Sequence, residues 1–184
     1  MIPRKLTSFH KEKLCNHLKS LQGQDRRLRF GTVVNDDYIE KYVNESFNTN
    51  SKWFGVEVDG KIRAACHAAI YDGQAELGCS VDEEYRGNKI AQAMFERAVT
   101  WLRTKSITRV FMHCLTENAP MRHIAKKNAM VVVSEQGETD ASVEIDPPTF
   151  LTPIFDAYSD RMAFYDMLWK TNMSMFLIKK GEKS

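Results

Sequence analysis

The sequence predicts an α+β fold: a mixed but mostly antiparallel twisted sheet flanked by helices, with one further helix added at the C-terminus. Three observations carry this. Asp59-Gly60 and Asp72-Gly73 separate runs of strand-forming residues, and both residues of each pair accept positive φ, as a two-residue hairpin requires. Residues 75–91, AELGCSVDEEYRGNKIA, begin with Leu77, Cys79 and Val81 alternating against Glu76, Gly78 and Ser80. They then turn through Asp82-Glu83-Glu84 into a helix marked by Ile90, Met94, Ala98 and Trp101. Around this stretch the order reads strand, two helices, three strands, helix, strand, helix, two strands.

The elements follow in order. Residues 2–7 predict a short first strand. Ser8 is a candidate N-cap for a helix with Phe9, Leu14, Leu18 and Leu21 on its apolar face, ending before Gly23. Residues 24–31 carry Arg26, Arg27 and Arg29 with Leu28 and Phe30 interleaved. They read as a solvated loop held by two apolar side chains, or as an anion-binding patch. Asp36 to Phe47 is a helix, with Ile39, Tyr42, Val43 and Phe47 on one face. Trp53 to Val58, Ile62 to Tyr71 and the strand from Ala75 are joined by the two Asp-Gly turns. A helix runs from Gly87 to Thr104, a buried strand from Arg109 to Leu115, and a helix through Met121, Ile124 and Ala125. Two strands follow, 131–134 and 141–145, about a turn at Gly137. Thr152-Pro153 starts a last helix, a hydroxyl cap followed by proline at the first helical position. Its stripe of Phe155, Tyr158, Met162, Tyr165 and Trp169 is expected to pack on the body or on a second subunit.

Strand, tight loop and helix N-terminus is a geometry that binds phosphate. The first helical amides lack partners, and the helix dipole favours an anion there. Arg86 and Lys89 add positive charge. Neither G-x-G-x-x-G nor G-x-x-x-x-G-K-[ST] is present. Residues 86–91, RGNKIA, instead resemble the R-x-x-G-x-G/A signature of the GNAT superfamily of acyl-CoA N-acyltransferases, with Lys89 at the family's central glycine. The strand ending at Val81 resembles that family's fourth strand. The element order agrees with a GNAT domain over 1–146, followed by a helical extension over 147–184. Residues 24–31 and 75–81 also resemble, locally, the GNAT domains of bacterial protein-lysine acetyltransferases.

The resemblance implies an acetyl-CoA-dependent N-acetyltransferase acting on a primary amine, either a protein lysine or a small molecule. It implies that acetyl-CoA is held by Cys79, Ser80 and Val81 along the pantetheine arm, by Arg86, Gly87, Asn88, Lys89, Ile90 and Ala91 at the pyrophosphate, and by Asn118 after the fifth strand. The family's frequent tyrosine, a candidate general acid, falls on Ala125 here.

Amide formation from a thioester needs a neutral amine, and a lysine-like amine has a pKa near ~10.4. Glu76, on the polar face of its strand, is the candidate base, and Gly78 beside it leaves room for an acceptor. Glu135, Glu138 and Asp140 crowd the last turn, which the resemblance to GNAT folds implies borders the acceptor side of the cleft, and with Glu76 they suggest a cationic acceptor. His113 and Cys114 are adjacent on a strand, point to opposite faces and cannot form a dyad. Both read as buried structural residues, with His113 next in line as an acid or base. Cys79 reads as core packing, and His67 shows no partner.

A competing reading is a catalytically silent acyl-CoA sensor or scaffold. A nucleic-acid binder is disfavoured, because the net charge is only +2 and no aromatic stacking platform accompanies the arginines. Apolar content of 43% and charged content of 27% are those of a soluble domain. No apolar run is long enough to span a membrane, the N-terminus lacks the apolar core of a signal peptide, and no metal-ligand spacing appears. Four cysteines without a C-x-x-C pair fit a reducing cytoplasm. The apolar stripe of the last helix allows a homodimer.

Overall fold

The computed structural model describes residues 1–181, with side chains described through residue 169. Seven strands form one sheet: β1 (Arg4–Lys5), β2 (Ser51–Val58), β3 (Lys61–Tyr71), β4 (Gln74–Val81), β5 (Arg109–Leu115), β6 (Val131–Glu135) and β7 (Glu138–Glu144). Their order is β1-β2-β3-β4-β5-β7-β6. Every neighbouring pair is antiparallel except β4 with β5. The helices are α1 (Lys11–Ser20), α2 (Gly23–Phe30), α3 (Asp36–Glu45), α4 (Ile90–Thr104), α5 (Ala119–Lys127) and α6 (Thr152–Gly181).

Local chemistry sets the central strands. Asp59 and Gly60 turn the chain at φ 50° and 74°, Asp72 and Gly73 at 48° and 76°, the left-handed values that a two-residue hairpin demands. Adjacent strand residues then face opposite ways. Trp53 enters the core beneath α1 and α3 with Leu14, Leu18, Ile39 and Val43. Phe54 enters the core beneath α4 and α5 with Leu77, Met94, Leu102 and Met112. Both aromatic side chains are fully buried, and each large apolar side chain so placed contributes about 1.5–3 kcal/mol.

Four local expectations are corrected. The first strand has two paired residues rather than six, because only Arg4 and Lys5 meet β2. Phe9 is 93% exposed and not on an apolar face, because residues 8–10 form a 3-10 turn that rotates it outward before α1 begins. Residues 23–30 are a helix rather than a loop, closed by Gly31 at φ 74° in the left-handed cap position. The helix expected from Gly87 starts at Ile90, because Gly87 and Lys89 both have positive φ.

The last helix lies against α4 and β1 by an unexpected face. Arg97 of α4 is buried and pairs with Asp156 and Asp160, one helical turn apart on α6, and Lys5 reaches the same two carboxylates. Ala163, 3% exposed, lets the backbones approach. A buried guanidinium left without carboxylates would be costly, so this face wins the docking. The aromatic stripe turns outward: Phe155, Tyr158, Tyr165 and Trp169 are all more than half exposed. Among the described residues no helix is long and apolar enough to cross a membrane.

Candidate active site

Parallel pairing between β4 and β5 lasts three residues. Gln74 meets Arg109, Ala75 meets Val110 and Glu76 meets Phe111; beyond that the strands part, although β4 continues to Val81 and β5 to Leu115. The wedge between them opens into a cleft of about 720 Å³, within the range of small-molecule sites. Of the residues expected to hold acetyl-CoA, Cys79, Ser80, Val81, Arg86, Gly87, Lys89, Ile90, Ala91 and Asn118 line this cleft. Asn88 does not; its side chain turns back to donate to the carbonyls of Tyr85 and Arg86, bracing the loop. His123 and Lys127 of α5 join the wall, a contribution that no sequence motif marks.

The α4 terminus points into the cleft without a side-chain cap, so its first amides meet no side-chain acceptor. Lys89 sits there at φ 58°, ψ 15°. This conformation costs a side-chain-bearing residue about 1–2 kcal/mol, and glycine much less. The family pattern's glycine therefore has a backbone reason here. Lys89→Gly is expected to stabilise the fold by about 1 kcal/mol in urea unfolding, while Lys89→Ala gains nothing. A glycine variant no more stable than the native chain would contradict the strain.

Two expected ligands are already engaged. Arg86 donates to Asp25 at 2.7 Å. Asn118 accepts from the Met121 amide as the α5 cap and donates to the Leu28 carbonyl, tying α5 to α2. Ser80 meets buried His17, with 2.9 Å between Oγ and Nε2. Nδ1 of His17 lies 3.0 Å from Asp82, off the line of a good hydrogen bond. Burial alone would raise the Asp82 pKa, but His17 and Arg63 outweigh it and hold the carboxyl below its usual range. This buried chain fixes the end of β4 against α1.

Glu76 occupies the last paired position of β4, at the apex of the wedge. It shares a strand face with Gly78 and Ser80 and lies beyond the residues lining the cleft. His113 is corrected: it is exposed, not buried, and faces the same side as Phe111. Its Nδ1 bonds Asp140 at 2.7 Å. That bond, against the opposing effect of burial and with help from the charges of Glu138 and Glu76, raises the His113 pKa. Cys114 is buried in the opposite face, as the alternation predicts, and Cys79 belongs to the core. Ala125 is 1% exposed, so nothing at that position can donate a proton.

Gly78 does not leave room for an acceptor. Its open face is filled by Arg29, whose Nη1 would lie 3.0 Å from any Cβ built there. Arg29 donates to the Tyr42 hydroxyl at 3.1 Å. A guanidinium cannot accept, so the Tyr42 hydroxyl donates its hydrogen bond to Nδ1 of His67, 2.8 Å away. His67 stacks on Trp53 at 4.4 Å. Burial first, and the Arg29 charge second, push its pKa down to about 3.

Comparison with known proteins agrees with this geometry. Residues 17–129 match the model of the acetyltransferase (GNAT) family. No curated protein sequence matches the chain. Among solved structures, the GNAT domain of S. lividans PAT superposes with a TM-score of 0.67 at 17% identity, covering 78% of this chain and 89% of that one. The PaiA N-acetyltransferase of Thermoplasma acidophilum, in complex with coenzyme A, gives 0.59 at 17%, covering 78% and 98%. The ribosomal-protein-S18-alanine N-acetyltransferase of Escherichia coli gives 0.61 at 12%, covering 80% and 96%.

Proposed function

The chain belongs to the GNAT acetyltransferase family of acetyl-CoA-dependent N-acetyltransferases, and from that premise we propose that it acetylates a primary amine with Glu76 as general base. One observation carries this reading: Glu76 sits where β4 and β5 part, at the apex of the wedge that opens into the cleft. The open α4 terminus, with Arg86, Lys89 and Lys127 around it, suits a pyrophosphate. The parted edge of β4 at residues 79–81 suits an extended amide-containing arm.

In this reading the acceptor arrives as an ammonium, attracted by Glu76 and by Glu138 and Asp140, the two carboxylates beside His113. Glu76 takes one proton, directly or through a water. The amine nitrogen then attacks the thioester carbon and the new C–N bond forms; as the C–S bond breaks, the nitrogen gives up its second proton to the departing thiolate, through water, leaving the amide and the free thiol. Correct placement of the two reactants is worth ~7–11 kcal/mol of the barrier. His113, held by Asp140, is a further titratable group on this face.

Two measurements test the reading. Acetyl-CoA at a hundredfold excess over its Kd is expected to stabilise the protein by about 2.7 kcal/mol in a thermal melt. Thiol release with a pooled amine panel is expected to follow. No melt shift in millimolar acetyl-CoA would remove the reading, and a shift without turnover on any amine would mark a silent acyl-CoA binder instead.

A further inference from the structure

We propose that Arg29 is the receptor for a carboxylate carried by the acceptor, so that the substrate is an amino-acid-like amine bearing its own acid group. The proposal rests on the acetyl-transfer reading above and names the class of acceptor for that site.

The arginines near the cleft divide into two kinds. Arg26 pairs with Asp36, Arg27 with Glu117 and Arg86 with Asp25. Arg29, which lines the cleft, has no carboxylate within ion-pair distance among the described residues. Its one hydrogen bond goes to a neutral phenol, and its Nε is buried without a partner. Buried Nε atoms without partners also occur on Arg4, Arg63, Arg97, Arg103 and Arg122. Each of those donates its terminal nitrogens to a carboxylate or a backbone carbonyl. Arg29 alone in that set lacks both.

The surroundings hold the charge in place without neutralising it. The guanidinium lies over Phe30, Tyr42 and Trp53, 5.1 to 5.8 Å from their centroids, an arrangement that favours a cation. Tyr42 is anchored by His67, which is neutral and adds no second charge. Gly78 lets the planar group lie flat on β4. A fork-shaped donor fixed this way is matched to a planar anion with two oxygens.

Glu76 and Gly78 are same-face neighbours, separated by about 6.5–7 Å along a strand. A zwitterion whose ammonium meets Glu76 and whose carboxylate meets the guanidinium that covers Gly78, without itself entering the space over the glycine, spans that interval. A lone lysine side chain or a polyamine leaves Arg29 unpaired.

The test uses the full chain with acetyl-CoA and the protein amino acids, each offered as the free acid and as its primary amide. Rates are compared at equal concentration of neutral amine. The acids are expected to be favoured at least tenfold in kcat/KM, and Arg29→Gln to erase the preference while acetyl-CoA still shifts the melt. Arg29→Lys, which keeps the charge but not the fork, should retain part of it. Amides that serve as well as acids overturn the proposal. So does an Arg29-dependent preference for succinyl-CoA over acetyl-CoA, which would put the carboxylate on the acyl group. If no amine turns over, the transfer reading fails, and calorimetric titration of the CoA-loaded protein with the same acids and amides decides this one. Acids must then bind in an Arg29-dependent way, and equal or absent binding overturns it.

Discussion

Glu76→Gln is expected to lower kcat by roughly 10²–10⁴-fold at pH 7, with acetyl-CoA binding almost unchanged. The two effects separate because the residues concerned are separate. Residues 79–81, Arg86, Gly87 and residues 89–91 line the cleft, whereas Glu76 lies at the apex, still paired to Phe111. The amide keeps the shape of the side chain and the ladder of β4, so a folding defect is a poor explanation for lost turnover. Raising the pH should recover part of the rate, since more of the amine then arrives already neutral. His113 supplies the internal control. Its pKa is raised mainly by Asp140, so as a base it would give a rate that climbs with pH through that raised value. That climb would vanish in His113→Gln and persist in Glu76→Gln. Wild-type turnover by Glu76→Gln, with chemistry shown to limit the rate, would pass the role to His113.

What the sequence reveals here depends on how local the causes are. The Asp-Gly turns and the β4–turn–α4 stretch are legible because positive φ and apolar period are written within a few residues. The wedge is not, since nothing in residues 77–81 records that β5 has turned away. Residues 23–30 look like a loop because an eight-residue helix has little stability of its own. Its arginines are fixed by Asp36, Glu117 and two rings from other elements, Tyr42 and Trp53. The same holds for α6. Its aromatic stripe dominates the periodic signal, yet two aspartates facing a buried arginine 59 and 63 residues earlier decide which side docks. His67 looks partnerless in the sequence and proves to be the end of a chain running from Arg29 through Tyr42.

That chain makes acid the fold's weak side. His67 has a folded pKa of about 3 against 6.5 for the free side chain, so the native state refuses a proton that the unfolded chain accepts. The stabilisation is therefore complete above pH 6.5 and is lost progressively as pH falls toward 3, by up to about 5 kcal/mol. The lowered carboxyl pKa values of Glu57, Asp82 and Asp156 cost stability in the same direction, but only as pH falls below the carboxylate range. His10, also lowered, acts with His67. His113, raised, acts oppositely: its contribution is present in acid and fades as pH rises through its folded value. Between pH 7 and 4.5 His67 should therefore dominate. Urea unfolding is expected to show the wild-type protein losing about 2–3 kcal/mol more across that interval than His67→Gln, which keeps an acceptor for Tyr42 without a titrating ring. The variant starts less stable at pH 7, because it gives up the stack on Trp53, and the two curves should converge in acid. Parallel curves would mean that His67 takes its proton in the fold as readily as in water, and that the Arg29–Tyr42–His67 chain is not the closed, neutral-ended relay described here.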